Sequence, residues 1–439
     1  MNIGLFSLTL ITFILIIHYF GKKSIVSLNF NFWSLLFYKE MFFIIPSIFF
    51  ISIYGVESFR TFVLAKPEME NITSWVVLYC VMSFITCMIF FSFIGITNTR
   101  FVAEPSSFTL NDRRDIVIFG SSAMFTAVTL LLIAILFLNY KHAFIYTIFS
   151  SDNLIKVRLE NTYYSMLPSQ ASYLISISTF ISTIFSVYLF KINNKKLGYI
   201  TLIISLFLAT SEGSKGDIMN LAVVTFVAYF YFFKPKVNLL KLLVVFVFFI
   251  SLSSVLLFHV VSLQVPDLSV ERFFLYLVER IGVDQMAGTY ETFSAELYSP
   301  KYAWHAVPFS HFFVDYNIFS KDLMLLSEGG THTSVGVKNS LFISEAFGMG
   351  SWELAIVSPF IFSFGYVIKL LIIYSTLTIL FSKSVSQTFT LPLLFTTTKL
   401  TGDFSSVVLQ KGTILLLVVF VVIYLVSLLL NFFIKNYSS

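Results

Sequence analysis

The chain has 439 residues, of which 57% are hydrophobic, 12% are charged and 54 are phenylalanine. Soluble domains carry roughly 25% charged residues, so this composition excludes a soluble globular protein and indicates a chain that crosses a membrane many times. The net charge of +5 comes without a cluster of interleaved basic and aromatic residues, which argues against nucleic acid as a partner.

Apolar runs of about 20 residues recur along the chain, and at that length only helices satisfy the backbone in lipid. The predicted spans are residues 3–20, 41–56, 75–96, 116–138, 173–190, 197–210, 218–233, 239–263, a ninth span from Trp352, 388–398 and 412–433. Alternate connections between these spans are nearly all basic, as cytoplasmic loops are. The N-terminus is therefore expected outside and the C-terminus inside. Lys369, within the ninth span, is expected to extend along the membrane to its inner surface.

These spans divide the chain into three parts. Residues 1–263 hold transmembrane helices 1–8 with short loops, residues 264–339 form one large external loop, and residues 340–439 hold helices 9–11. The loop carries nine of the 23 acidic residues and three of the six histidines, and recognition in a membrane protein is expected at such a polar loop. The sequence therefore predicts an all-α, polytopic membrane protein with about eleven transmembrane helices and one partly helical external loop.

The first candidate site is the turn at residues 211–217, SEGSKGD, which precedes a predicted helix. Gly213 and Gly216 let the backbone approach a ligand closely, the helix N-terminus offers free N–H groups, and Lys215 adds a charge suited to phosphate. The alternative is a tight turn whose lysine extends to the membrane surface.

The second candidate is the amphipathic segment 271–281, ERFFLYLVERI. Its apolar side chains share one helical face, while Arg272, Tyr276 and Arg280 lie on the other. Arginine binds phosphate oxygens bidentately, so this helix could hold a diphosphate. The alternative is that the two arginines pair with Glu279 and Asp284.

The third candidate runs from the Gly- and Thr-rich segment around His332 to Glu345. His332 lies in a polar setting that suits a general base, although a solvated loop histidine is the simpler interpretation. Glu345 stands in an apolar stretch, where a carboxylate needs a partner, and Lys338 or an arginine is the structural alternative to a catalytic role. Asp284 is the third candidate base.

The order of these features resembles that of the Wzy-type polysaccharide repeat-unit polymerases, which are related to the O-antigen ligases. The matching motifs are the GSKG turn at 213–216, where Lys215 replaces the family's usual arginine, Arg272 followed by Gly288, and the NSLFISEAFGMG run at 339–350. The resemblance implies a GT-C-like membrane glycosyltransferase in the bacterial cytoplasmic membrane that builds lipopolysaccharide or capsule chains.

By that resemblance, the enzyme joins undecaprenyl-diphosphate-linked oligosaccharide repeat units at the outer face of the membrane. Lys215, Arg272 and Arg280 would hold the diphosphate, with Gly213, Gly216 and Tyr276 beside the substrate. His332, Glu345 and Asp284 are the candidate bases in that order. No metal or other cofactor is implied, and membrane lipid and a chain-length regulator are the further partners. The alternatives are a ligase-like glycosyltransferase and a lipid-linked oligosaccharide flippase or transporter.

Overall fold

The computed structural model describes residues 44, 46–94, 108–149, 157–158, 160–161, 166–213, 215–233, 269–307, 310–329, 338–397, 404, 407 and 411–437, and within these ranges it contains helices and no strand. The first six helices after the helical stretch 46–54 are α1 (Pro67–Phe93), α2 (Leu110–Phe137), α3 (Ala143–Phe149), α4 (Ser169–Lys191), α5 (Lys195–Ala209) and α6 (Lys215–Phe233). The other six are α7 (Val270–Ile281), α8 (Ala287–Ala295), α9 (Phe319–Glu328), α10 (Phe342–Leu380), α11 (Lys383–Thr397) and α12 (Lys411–Tyr437). The all-α prediction is confirmed for the described residues.

Five helices of the described chain are long and apolar enough to cross a membrane. These segments are Pro67–Phe91, Leu110–Phe137, Ser169–Lys191, Phe342–Leu380 and Gly412–Asn436. They coincide with the predicted third, fourth, fifth, ninth and eleventh spans, and they are compatible with a membrane location.

The other predicted spans have different outcomes. The sixth, seventh and tenth are helical as α5, α6 and α11, but α5 and α11 have 15 residues each, fewer than the ~20 that cross a hydrocarbon core. The second span is helical over residues 46–54, whereas spans 3–20 and 239–263 lie outside the described residues. The count of eleven stays a prediction.

The helix α10 consists of two pieces. Gly350 and Ser351 leave helical geometry, and Ser351 takes φ 55°. A two-turn piece, residues 342–349, therefore precedes the long piece, which begins at Trp352 as the sequence predicts. The break lets the short piece turn away from the long one and join the loop elements described below.

Lys369 differs from the expectation. Its side chain is 3% exposed, and its Nζ donates to the backbone oxygen of Thr397 at 2.6 Å. Thr397 ends α11, where carbonyl oxygens lack intrahelical N–H donors and the helix dipole is negative. The expected extension to the inner surface is wrong because this partly buried helix end binds the ammonium group instead.

Contacts between helix ends define two faces of the bundle. At one end, which we call the loop face, Ser74 at the start of α1 hydrogen-bonds Tyr290 of α8 at 2.8 Å, and Tyr173 of α4 donates to Gly412 of α12. At the opposite end, the basic face, Ser384 donates to Asp112 at the start of α2. The basic face carries Arg113, Arg114, Lys191, Lys195, Lys196, Lys383 and Lys435.

Two close contacts hold the bundle together. Gly120 of α2 faces Phe185 of α4 so closely that a Cβ would lie 2.3 Å from its ring, so the two helices meet without room for a methyl group. In α10, the rings of Phe342 and Phe362 stack across the break with centroids 4.0 Å apart, and Phe362 also meets Phe84 of α1. The short piece of α10 is thereby fixed to the membrane-length helices.

Candidate functional site

The loop face is built around residues 60–66, which we call the strap. Four backbone N–H groups of the strap donate to α7 and α8: Thr61 to Glu279 Oε1 (2.9 Å), Val63 and Leu64 to Glu291 Oε1 (2.8 and 3.3 Å), and Lys66 to Ser294 Oγ (2.9 Å). Carboxylate acceptors form stronger hydrogen bonds than neutral ones. The segment between the predicted second and third spans therefore docks onto the predicted large loop.

A buried ion pair lies beneath the strap. Lys338 Nζ is 3.1 Å from each carboxylate oxygen of Glu291, and the two residues are 7% and 0% exposed. The same ammonium donates to Thr61 O at 3.2 Å and to Ser327 Oγ of α9 at 3.4 Å. One lysine thus links α8, α9 and the strap. Its partner is Glu291, so the predicted alternative of a Lys338–Glu345 pair is not the arrangement seen.

The backbone after Lys338 is also tied to α8. Residues 338–341, the exit segment, lead into α10, and Asn339 O accepts the N–H of Gly288 at 2.8 Å. A Cβ on Gly288 would lie 2.6 Å from that oxygen, so only glycine permits this approach. Leu341 N donates to Thr289 Oγ1 at 2.8 Å. These contacts explain why a glycine stands at position 288, one of the residues that carry the family resemblance.

A carboxylate and an imidazole meet at the short piece of α10. Glu345 is 1% exposed, and its Oε1 lies 3.9 Å from Nδ1 of His305. His305 belongs to the 3₁₀ helix Pro300–Ala306, its side chain is 25% exposed, and its ring packs against Tyr316 with centroids 5.7 Å apart. At 3.9 Å the pair is not hydrogen-bonded, but a small approach of the two side chains would let the buried carboxylate accept from Nδ1 and hold the ring, as general acid–base chemistry requires.

Two further contacts position His305. Tyr302, one turn earlier, donates its hydroxyl to Asp322 of α9 at 2.9 Å, and Ser299 N donates to Gly348 O at 2.8 Å. Burial, then the hydrogen bond to Asp322 and its negative charge, raise the pKa of Tyr302, so the phenol stays protonated and remains a donor. The 3₁₀ helix is thereby fixed between α9 and α10.

The residues predicted for the site fall in different places. Glu345 lies in the histidine–carboxylate pair, Asp284 is half-buried between α7 and α8, and His332 lies outside the described residues. The predicted helix at 271–281 is confirmed as α7, where Arg272 is exposed, Tyr276 is half-buried and Arg280 is the penultimate residue. Glu279, one predicted partner of the arginines, accepts the strap N–H of Thr61.

The Lys215 turn belongs to a second cluster of the loop face. Lys215 and Gly216 are the first two residues of α6, and Gly213 has φ 73°, the left-handed conformation that favours glycine. Ser211 O accepts the N–H of Ala143, and Ser172 of α4 donates to Glu212. The turn thus contacts the start of the connection between the predicted fourth and fifth spans.

His142 joins that loop to α5. Its Nε2 lies 2.9 Å from Phe207 O, its Nδ1 accepts the N–H of Ile145 in the first turn of α3, and its ring stacks on that of Phe207. This pattern needs the neutral ring with the proton on Nε2, and burial lowers the pKa of His142. The imidazole therefore acts as the N-cap of α3.

We expect acid to destabilise this region. Because the pKa of His142 is lower in the folded than in the unfolded protein, the unfolded chain binds more protons, and stability falls as pH drops below about 6.5. His142→Asn, which keeps a capping side chain but does not titrate, should flatten that part of the profile, whereas His142→Ala should cost about 1 kcal/mol at neutral pH. Melting temperatures in detergent micelles between pH 7.5 and 5 measure both. An unchanged acid response in His142→Asn would contradict the assignment.

Sequence reasoning missed His305 and the Glu291–Lys338 pair. His305 stands among aromatic and small residues with no motif around it, and Glu291 and Lys338 are 47 positions apart. No spacing rule connects them, because they meet only when α8 packs against the exit segment. Among the described residues, no group of three or more His, Cys, Asp or Glu side chains could hold a metal ion.

Comparison with family models, with curated proteins and with solved structures finds no match to this chain. The sequence motifs and the geometry of the loop face are therefore what bears on its function.

Proposed function

We propose that the protein is a membrane glycosyltransferase that polymerises undecaprenyl-diphosphate-linked oligosaccharide repeat units at the outer face of the bacterial cytoplasmic membrane. In this proposal the loop face is external, the basic face is cytoplasmic, and the chain has eleven spans in a GT-C-like arrangement with its N-terminus outside and its C-terminus inside. The concentration of arginine and lysine at the basic face supports this orientation, because cytoplasmic segments are enriched in positive charge.

The observation that carries the proposal is the His305–Glu345 pair. A glycosyl acceptor hydroxyl needs a base within hydrogen-bond reach, and His305 is partly exposed while the carboxylate behind it is buried. The pair sits where the external loop meets the start of a membrane-length helix, the level at which the sugars of a lipid-linked substrate leave the lipid. We therefore assign His305 as the base and Glu345 as the residue that positions it.

In the proposed reaction, the acceptor is the non-reducing-end sugar of a new repeat unit. Its hydroxyl oxygen forms a bond to the anomeric carbon of the growing chain, and the hydroxyl proton passes to His305. The bond between that carbon and the diphosphate oxygen breaks, and undecaprenyl diphosphate leaves with the electron pair. Cationic groups at the leaving oxygen favour this transition state, and Arg272, Arg280 and Lys215 are the candidates. His332 and Asp284 stay alternative bases.

The two alternatives predict different products. A ligase of similar architecture would use the same phosphate-binding groups, but its loss would leave long lipid-linked polymer that is not transferred to a final acceptor. A flippase would not extend lipid-linked units at all. In a strain with an otherwise intact gene cluster, deletion of the polymerase should leave a single repeat unit in place of a ladder of chain lengths. A normal ladder would refute the proposal.

Arg272 provides a residue-level test. Arg272→Ala should reduce polymerisation by purified full-length protein about 10- to 100-fold, because a charged hydrogen bond contributes about 1.5–3 kcal/mol. The control is Arg60→Ala, since Arg60 is another exposed arginine of the loop face. Product lengths are read on gels after incubation with lipid-linked repeat units. Equal losses in both variants, or none in Arg272→Ala, would contradict diphosphate binding by Arg272.

A further inference from the structure

The basic face contains a cavity of about 360 Å³ between α2, α4 and α12. Its polar lining consists of Arg113, Arg114, Tyr188 and Asn431. The rest of the lining is aliphatic, for example Val117 of α2 and Ile434 of α12. A cavity of this size is within the range that holds small-molecule ligands. Its position at the ends of membrane-length helices brings charged groups and an apolar wall together.

The two arginines differ in how they are held. Arg114 Nη2 donates to Asn431 Oδ1 at 2.8 Å, so α12 fixes its guanidinium at the cavity. Arg113 is exposed, and within the described chain its guanidinium has no hydrogen-bond or ion-pair partner. Both stand close to the N-terminal end of α2, beside Asp112 and Asp115. The carboxylate of Asp112 accepts hydrogen bonds from Thr109 N and Ser384 Oγ, and among the described residues neither acid forms an ion pair with Arg113.

Tyr188 supplies an independent observation. It lines the cavity, it is 1% exposed, and its hydroxyl has no hydrogen-bond partner in the described protein. A buried hydroxyl without a partner costs about 1–3 kcal/mol, so a ligand atom that accepts its proton would recover that loss. Phosphate oxygens are such acceptors, and arginine binds them bidentately.

We propose that this cavity binds the phosphate group of an anionic phospholipid, with Arg113 and Arg114 at the phosphate, Tyr188 donating to one of its oxygens, and an acyl chain along the aliphatic wall. Basic pockets between transmembrane helices bind lipid headgroups in this way. The site is at the opposite end of the bundle from His305 and Glu345. It does not depend on the proposed glycosyltransferase activity.

The test uses purified full-length protein in detergent micelles and short-chain phosphatidylglycerol, with phosphatidylcholine of the same chain length as the zwitterionic control. Native mass spectrometry should show at least tenfold tighter binding of phosphatidylglycerol, together with a raised melting temperature. Arg113→Gln combined with Arg114→Gln should abolish that preference, and Tyr188→Phe should weaken it several-fold without loss of folding. Lys195→Gln, which removes an exposed cation of the same face, should leave it unchanged.

Three outcomes would overturn the proposal. The first is equal binding of the two lipids by the wild-type protein. The second is an unchanged preference in the double arginine variant when that variant melts cooperatively. The third is full competition by free glycerol phosphate at the lipid's own concentration, which would identify the ligand as a soluble phosphate.

Discussion

Replacement of Glu345 by glutamine is expected to lower the polymerisation rate about 100-fold or more while the protein still folds. Glutamine keeps the size and most of the hydrogen-bonding capacity of the side chain but removes the negative charge 3.9 Å from His305. The imidazolium that forms when His305 accepts the acceptor's proton then loses its stabilising neighbour. Loss of a buried charge does not by itself destabilise the fold, since buried carboxylates carry a large desolvation cost.

The control for this experiment stands on the same helix. Glu353 is exposed eight positions further along α10, and Glu353→Gln should retain the wild-type rate. His305→Ala should lose about as much activity as Glu345→Gln, and the double variant should lose little more, because the two residues act as one unit.

A conservative variant separates positioning from a structural role. Glu345→Asp keeps the negative charge, so it should recover part of the rate that Glu345→Gln loses when the two variants melt at the same temperature. Equal rates in Glu345→Asp and Glu345→Gln would assign Glu345 to the fold alone. A wild-type rate in His305→Ala would remove the pair from the mechanism and leave His332 or Asp284 as the base.

The second large effect concerns stability. Lys338→Met is expected to destabilise the protein by about 3–5 kcal/mol, because it leaves the Glu291 carboxylate buried and charged without its cation. The loss should also release the strap, since Lys338 contacts Thr61 O and Glu291 accepts two strap N–H groups. Unfolding in detergent micelles measures the first effect, and limited proteolysis within residues 60–66 measures the second.

A double-mutant cycle tests whether the pair is responsible. Glu291→Gln with Lys338→Met should be more stable than the sum of the single variants predicts, because the double variant leaves no unpaired charge. Lys301→Met, at an exposed lysine of the same face, should change stability by less than about 0.5 kcal/mol. Strict additivity of Glu291→Gln and Lys338→Met would show that the two residues do not interact energetically.

Much of the fold could be predicted because it depends on local properties of the chain. Apolar runs between charged connections correctly predict five helices: α1, α2, α4, α12 and the long piece of α10. The amphipathic pattern of residues 271–281 correctly predicts α7. The prediction for Lys369 is wrong because lysine usually reaches the membrane surface when it can, and nothing local indicates that the last turn of α11 lies beside it. The contact with Thr397 is a tertiary feature that forms only when α10 and α11 pack together.

The site was less predictable for a similar reason. Glu345 could be singled out because a carboxylate in an apolar stretch needs a partner, but the partner itself could not be found. Several charged residues were available along the loop, and His305 is 40 positions earlier in the chain. Lys338 is a cation close to Glu345 in sequence, yet it pairs with Glu291 because the exit segment runs alongside α8 at Gly288.

The strap has a consequence for sequence divergence. Its four hydrogen bonds to α7 and α8 use backbone N–H groups and are accepted by Glu279, Glu291 and Ser294. The strap side chain that adds to this docking is Phe62, whose ring packs against that of Tyr290 with centroids 5.6 Å apart. Most substitutions between residues 60 and 66 leave these donors intact, whereas proline at position 61, 63, 64 or 66 removes one. The exposed side chains of the segment, such as Arg60, can therefore change while its backbone docking stays the same.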